Sequence, residues 1–304
     1  MSKPYKGAWV LRSMLFVPSH IEKMVKKGAE SEADCVVLDL EDAVPEDMKD
    51  KARTAIRDSL ASGLYAKKTV FVRINPLETG LTLRDLDGVA CRELNGFVYS
   101  KACTPDDVKS FDAQLRLKEM TAGLRVGHFS LILLIETALG VINAYQSAKA
   151  SDRVVGLLFG CEDYMADMQA RHSENDVSLH TPRMQTALAA RAAGVEPIDT
   201  PYVNVHDLDG LKPFTQRGRD LGMAGMLVMT PKQIPVAHAT YTPSNEEITY
   251  AKEVVEAAEA ARKEGRGIVV VDGKFISPPT LKAALKVLAR VEAIDNLNRF
   301  HNGG

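Results

Sequence analysis

The stretch CVVLDLEDAVPED, residues 35–47, runs from an apolar strand straight into a run of carboxylates. Cys35, Val36, Val37 and Leu38 are apolar in succession, without the in-out alternation of a strand that has one wet face. Such a strand is buried on both faces, as in a parallel sheet covered by helices. The helical pattern of EDMKDKARTAIRDSLAS, residues 46–62, follows at once. This is one strand–helix unit, and its neighbours decide the fold.

Working outward, the unit repeats. SMLFVP (13–18) precedes HIEKMVKKGAE (20–30), which places Ile21, Met24 and Val25 on one helical face. TVFVRI (69–74) precedes a short helix from about Leu83. GFVYSKA (96–102) precedes a helix opening at Thr104-Pro105-Asp106-Asp107, an N-cap followed by proline at the first helical position. FSLILLIET (129–137) leads to 140–150, VVGLLFG (154–160) to 162–170, EPIDTPYV (196–203) to 208–222, and GMLVMT (225–230) to 231–240. Eight such units in roughly 240 residues predict a TIM (β/α)8 barrel. The rival is a doubly wound open sheet, which would need a phosphate-cradling glycine loop after an early strand. The first strand here ends FVPSH, and no GxGxxG or Walker loop occurs.

Past Thr240 the pattern changes. A long helix opens with an S-x-x-E capping box at Ser244 and Glu247. Residues 266–279 read as a hairpin turning at Asp272-Gly273, and 280–300 as a last helix. The division expected is a catalytic barrel over 1–240 and a C-terminal helical and hairpin extension over 241–304. The extension is too small for an independent core, so it is expected to pack on the barrel or on a neighbouring subunit.

Composition narrows the function. The formal charge is −2 and the pI about 6.4, with no basic run to engage nucleic acid. The purest apolar run, 131–135, is far too short to span a membrane, and the N-terminus lacks the apolar core of a signal peptide. A cytoplasmic protein is expected. The four cysteines show no CxxC spacing and read as buried free thiols; the seven histidines show no metal-ligand spacing.

In a TIM barrel the active site lies at the C-terminal ends of the strands. Strands two to six end in Asp39-Leu40-Glu41-Asp42, Arg73-Ile74-Asn75, Ser100-Lys101, Glu136-Thr137 and Cys161-Glu162-Asp163. A single acid at a strand end is commonly a helix cap or a structural ion-pair partner. Ionisable groups at five adjacent strand ends point instead to a site. Carboxylates that converge repel one another unless a cation lies between them, and hard oxygen ligands suit Mg²⁺. Glu136 and Asp163, on neighbouring strands, are the candidate metal ligands. Arg73 is a permanent forked cation suited to a substrate carboxylate or an enolate oxygen. Lys101 is an alternative Schiff-base lysine.

These residues fall in stretches that resemble the citrate lyase beta-subunit-like branch of the HpcH/HpaI aldolase/citrate lyase superfamily. RSMLFVPS (12–19), ADCVVLDLEDAVPEDMKDKAR (33–53), VFVRINPLETG (70–80), LLIETALGVINA (133–144) and RVVGLLFGCEDYMAD (153–167) carry the likeness, together with 189–210 and 218–225. The resemblance implies a TIM barrel, Mg²⁺ as cofactor, and homotrimers or hexamers. It also implies carbon–carbon cleavage or formation between a 2-oxo acid and an acyl thioester, as in malyl-, citramalyl- and citryl-thioester lyases. By motif match, Glu136 and Asp163 look like the metal ligands, and Arg73 and Glu136 like the substrate-binding pair. In the implied cleavage a base takes the hydroxyl proton while Arg73 stabilises the enolate oxygen. Glu41 and Asp42 would complete the catalytic set by holding metal-bound water or orienting Arg73, with Asp39 tying down Arg73 or Lys101 from below.

The chain also departs from the pattern. Many relatives carry Gly-Lys-Trp-x-Ile-His-Pro at strand eight, where this chain has Gly225 to Pro231 without the lysine and histidine. Ser277 stands where relatives acting on coenzyme A esters often have a tail aspartate, and Ser19 follows FVP in place of glycine. The metal centre and Arg73 remain. A metal-dependent aldolase acting on a free 4-hydroxy-2-oxo acid is therefore the main alternative. A non-catalytic scaffold and a phosphoenolpyruvate-using barrel enzyme are the others.

Overall fold

The computed structural model describes residues 9–172, 177–263, 270–272 and 274–302. It divides into two compact units, Met1–Tyr241 and Thr242–Gly304.

The first unit is a closed barrel of eight parallel strands in sequence order. The strands are β1 (Ser13–Pro18), β2 (Cys35–Asp39), β3 (Thr69–Ile74), β4 (Gly96–Tyr99), β5 (Ser130–Ile135), β6 (Val154–Phe159), β7 (Glu196–Asp199) and β8 (Gly225–Val228). Between them run α1 (Glu22–Glu30), α2 (Lys49–Ala61), α3 (Thr82–Val89), α4 (Pro105–Thr121), α5 (Ala138–Lys149), α6 (Cys161–Asp167), α7 (Val177–Ala193) and α8 (Leu208–Asp220), with α9 (Ile234–Tyr241) after β8. β8 pairs back to β1 and closes the ring.

The unbroken apolar strands have a direct cause. Alternate residues serve two separate cores. Met14, Val37, Phe71, Val98, Ile132, Leu158, Ile198 and Leu227 fill the barrel interior. Leu15, Val36, Leu38, Val72, Phe97, Leu133 and Leu157 pack outward against the helices. Both faces are dry, so neither needs polar residues. Trp9 packs edge-on to Phe71 inside the barrel, with ring centroids 5.6 Å apart.

Several boundaries differ from the sequence reading. β7 ends at Asp199, because Pro201 has no N–H for the ladder and 200–203 turn away. Of the helical face proposed for α1, Val25 is buried, whereas Ile21 and Met24 are substantially exposed. The alanine-rich helix α7, which the sequence reading passes over, fills the long connection from α6 to β7. The Thr104 cap is present in full. Its hydroxyl accepts from Asp107 N at 3.2 Å, and the Asp107 carboxylate accepts from Thr104 N at 2.7 Å.

The second unit comprises α10 (Asn245–Lys263), an antiparallel pair β9 (Val270–Val271) and β10 (Lys274–Phe275), and α11 (Pro278–Asn302). Ser244 and Glu247 form the reciprocal box at the start of α10. α10 packs on α11, and Ala251, Val254, Ile276 and Ala284 make a small core of their own, where the sequence reading expected none. Of the expected hairpin turn, Asp272 is described with a left-handed φ of 47°, and Gly273 lies outside the described residues. Among the described residues no helix is long and apolar enough to cross a membrane.

Candidate active site

The parallel register sets Asp39 of β2 beside Arg73 of β3. Residues paired in register point the same way, and these two point into the barrel mouth. Arg73 donates from Nε to Asp39 Oδ1 at 2.7 Å and from Nη2 to Asp39 Oδ2 at 2.5 Å. Asp39 is buried and also accepts the backbone N–H of Glu41 at 2.9 Å and of Ala43 at 3.3 Å. It ties the strand-two loop and the guanidinium to one carboxylate. Of the two partners expected for it, Arg73 is the one it meets.

The other side of Arg73 meets two more acids. Nη1 lies 2.8 Å from Glu41 Oε2 and 3.6 Å from Asp42 Oδ2. The Glu41 contact is an ion pair without an aligned hydrogen bond, so that buried oxygen retains capacity for another partner. Asp42 is 65 % exposed and belongs to the outer rim. Phe16 closes the remaining face, its ring centroid 5.3 Å from the guanidinium carbon. Burial works against the Arg73 charge, but Asp39, Glu41 and Asp42 outweigh it and hold the guanidinium firmly protonated.

Glu136 follows β5 and is buried. Its Oε1 accepts the backbone N–H of Lys101 at 2.8 Å. Lys101 reaches that position with φ 51°, in the left-handed region uncommon for a residue with a side chain. The contact it makes with Glu136 is through its backbone. On the opposite side is Gly160, where a methyl group would come 2.9 Å from Glu136 Cβ and 3.1 Å from Oε2. Gly160 is also the N-cap of α6, whose first turn carries Glu162 and Asp163.

The electrostatics of this cluster favour a cation. Burial, then the charges of Glu41 and Asp163, push the Glu136 carboxyl up to about 8, against the Lys101 N–H and Arg73. Burial also pushes Glu41 up to about 7, with Arg73 opposing and with Asp42 and Asp39 adding to the rise. Glu136, just past β5, therefore feels a carboxylate from the loop after β2 and another from α6. Asp163 accepts no hydrogen bond from any described residue. A group of three or more His, Cys, Asp or Glu side chains arranged as a ligand set is not found among the described residues. Two carboxylates meet the requirement of Mg²⁺, which keeps several waters and takes one or two protein carboxylates. The donor set is all oxygen, the mutual repulsion calls for positive charge, and a buried carboxylate oxygen has unused capacity. Mg²⁺ fits these residues.

Residues behind the rim hold it in place, and nothing in their sequence spacing announces them. Lys49 of α2 donates from Nζ to the carbonyls of Leu40 at 2.8 Å and Glu41 at 3.2 Å, and to Asn75 Oδ1 at 2.8 Å. Asn75 in turn donates to the Leu40 carbonyl and to buried Asp85. One ammonium thus fixes the backbone that presents Glu41. The remaining candidates stand apart. Cys161 is buried, its thiol pushed up to about 12 by burial first, and is inert. His172 contacts Glu162 at 2.9 Å on the outer surface. At strand eight, Met226 is fully buried, and Gln233 Oε1 accepts the Met229 and Thr230 N–H groups at 2.8 and 3.4 Å. Ser277 accepts the Thr280 N–H at 3.4 Å and serves as the cap of α11.

Known proteins share this sequence pattern and this fold. The family pattern of HpcH/HpaI aldolase/citrate lyase matches residues 12–231. Citrate lyase subunit beta of Escherichia coli K12 is 34% identical over 92% of this chain and 93% of its own. A (3S)-malyl-CoA thioesterase of Cereibacter sphaeroides is 32% identical over 93% of this chain and 95% of its own. Among solved structures, CitE from Mycobacterium tuberculosis in complex with magnesium, acetoacetate and coenzyme A superposes with a TM-score of 0.72. It is 28% identical and covers 92% of this chain and 97% of that one.

Proposed function

Given that the chain belongs to the HpcH/HpaI aldolase/citrate lyase family, we propose that it is a Mg²⁺-dependent carbon–carbon lyase. Its substrate would be a malyl-, citramalyl- or citryl-type thioester, cleaved into a 2-oxo acid and an acyl thioester, or formed from them. The observation that carries the reading is the buried Glu136, repelled by Glu41 and Asp163, beside an arginine fixed by Asp39. The CitE neighbour solved with magnesium and coenzyme A supports both the cation and a coenzyme A carrier.

Glu136 and Asp163 would hold the ion. Bound there, Mg²⁺ supplies Lewis acidity and a template for the carboxylate and adjacent oxygen of the oxo-acid half. The chain's own residues do the rest. Asp39 occupies two of the five N–H groups of Arg73. Nη1 lies against Glu41, and the donors left over would meet a thioester enolate oxygen as it gains charge when the carbon–carbon bond breaks. Because Asp39 and Phe16 hold the guanidinium in place beforehand, little reorganisation accompanies that charge movement. Glu41 and Asp42 keep the fork aimed, and Lys49 keeps Glu41 in place.

Two further expectations belong to this reading. The four cysteines are free thiols, in keeping with a cytoplasmic enzyme. Self-association into trimers or hexamers has an apolar face to use. α5 packs against α7, and together they expose Leu139, Ile142, Tyr145, Met184 and Leu188.

The test is a substrate panel with Mg²⁺: malyl, methylmalyl and citramalyl thioesters beside free 4-hydroxy-2-oxo acids. Release of 2-oxo acid from a thioester is expected. Release from the free acids alone would replace this reading with the aldolase.

A further inference from the structure

Gly160 faces two demands that no single residue meets. It must lack a side chain, because a methyl group would press on Glu136. It is also the N-cap of α6, where a side-chain oxygen normally accepts one of the free backbone N–H groups. With glycine in place, α6 has no side-chain cap of its own. At seven residues it is also too short to be stable by itself. Yet α6 carries Asp163 in its first turn.

The missing acceptor comes from the next strand end. Thr200, directly after β7, accepts the Cys161 N–H on Oγ1 at 2.9 Å. Thr200 is fully buried. Its own N–H donates to Asp199 Oδ1 at 2.9 Å, and the same oxygen accepts Arg183 Nε at 2.9 Å. Arg183 is buried as well, stacked 4.3 Å from the Phe214 ring centroid. The Thr200 backbone is therefore held from behind by a buried ion pair.

We propose that Thr200 is a positioning residue for Asp163: it caps α6 in place of Gly160 and so sets where the Asp163 carboxylate faces Glu136. This rests on the reading of Asp163 as a metal ligand. The space cleared for one ligand at Gly160 is compensated, for the other, by a hydroxyl one strand away.

The experiment is a double-mutant cycle read by calorimetric Mg²⁺ titration of the whole protein. Thr200→Val keeps the shape and removes the acceptor, Thr200→Ser restores it, and Asp163→Ala removes the ligand. Thr200→Val is expected to weaken Mg²⁺ binding roughly 10- to 100-fold. Thr200→Ser should bind close to wild type, and Thr200→Val should add nothing in the Asp163→Ala background. If Thr200→Val does not fold, Thr200→Ala carries the same expectation. Wild-type affinity in the valine variant, or an equal loss in both backgrounds, would overturn the positioning role while leaving Asp163 a ligand. Unchanged affinity in Asp163→Ala alone would remove the ligand reading, and this proposal with it.

Discussion

Asp39 and Arg73 are register partners on adjacent strands and are joined by two hydrogen bonds, 2.7 and 2.5 Å long. Both lie in the barrel mouth, and the pair is the most buried charged contact there. Asp39→Asn keeps the shape and replaces one acceptor with a donor facing Arg73. Breaking one side of a buried pair is expected to cost about 3 kcal/mol of stability. A misplaced guanidinium should lower kcat roughly 100-fold. Urea unfolding and steady-state kinetics check the two effects separately, and unchanged kcat would remove Arg73 from the reaction.

The raised carboxyls make the metal-free protein sensitive to base. A native pKa above the unfolded one means that the folded chain binds protons more tightly. Its contribution to stability is full below the ordinary value of 4.5 and is lost as pH rises through about 7 for Glu41 and about 8 for Glu136. With chelator present, the urea midpoint should fall across that window, and added Mg²⁺ should flatten the fall. Glu136→Gln should lose Mg²⁺ binding and also lose part of this pH dependence. A midpoint that climbs from pH 5 to about 8 would contradict the assignment.

Gly160→Ala tests the cradle around Glu136. The added methyl would sit 2.9 Å from a Cβ carbon and 3.1 Å from a carboxylate oxygen, so Glu136 has to shift. The expected result is a folded protein with Mg²⁺ affinity weakened at least about tenfold, as when the surroundings of a ligand are disturbed. Calorimetry together with circular dichroism separates this from misfolding.

Ile142 on α5 and Leu188 on α7 are 73% and 68% exposed. If their face mates with another copy of the chain, Ile142→Asp combined with Leu188→Asp buries charge at the contact. Light scattering should then show a smaller particle than wild type. An unchanged mass would place any self-association elsewhere.

How much of this the sequence reveals depends on the kind of contact. The barrel is legible because both faces of each strand are dry, so CVVL, VFV and LILLI read as unbroken apolar runs. The rim is legible because charge at the end of such a strand stands out; Arg73, Glu136 and Asp163 are picked out as candidates that way. What supports the rim is not. Lys49, Gly160 and Thr200 act through backbone atoms or empty space, and in sequence each resembles an ordinary helix or loop residue. The left-handed backbone of Lys101 leaves no trace either, since lysine gives no hint of positive φ. α7 escapes notice because its alanines blur the apolar stripe.

The most direct test of the account is the product pair from one thioester. A malyl or citramalyl thioester, incubated with the protein and Mg²⁺, should give 2-oxo acid and acyl thioester in equal amounts, and neither with chelator. Free hydroxy acid and free thiol in their place would show thioester hydrolysis without carbon–carbon cleavage, and would contradict the lyase.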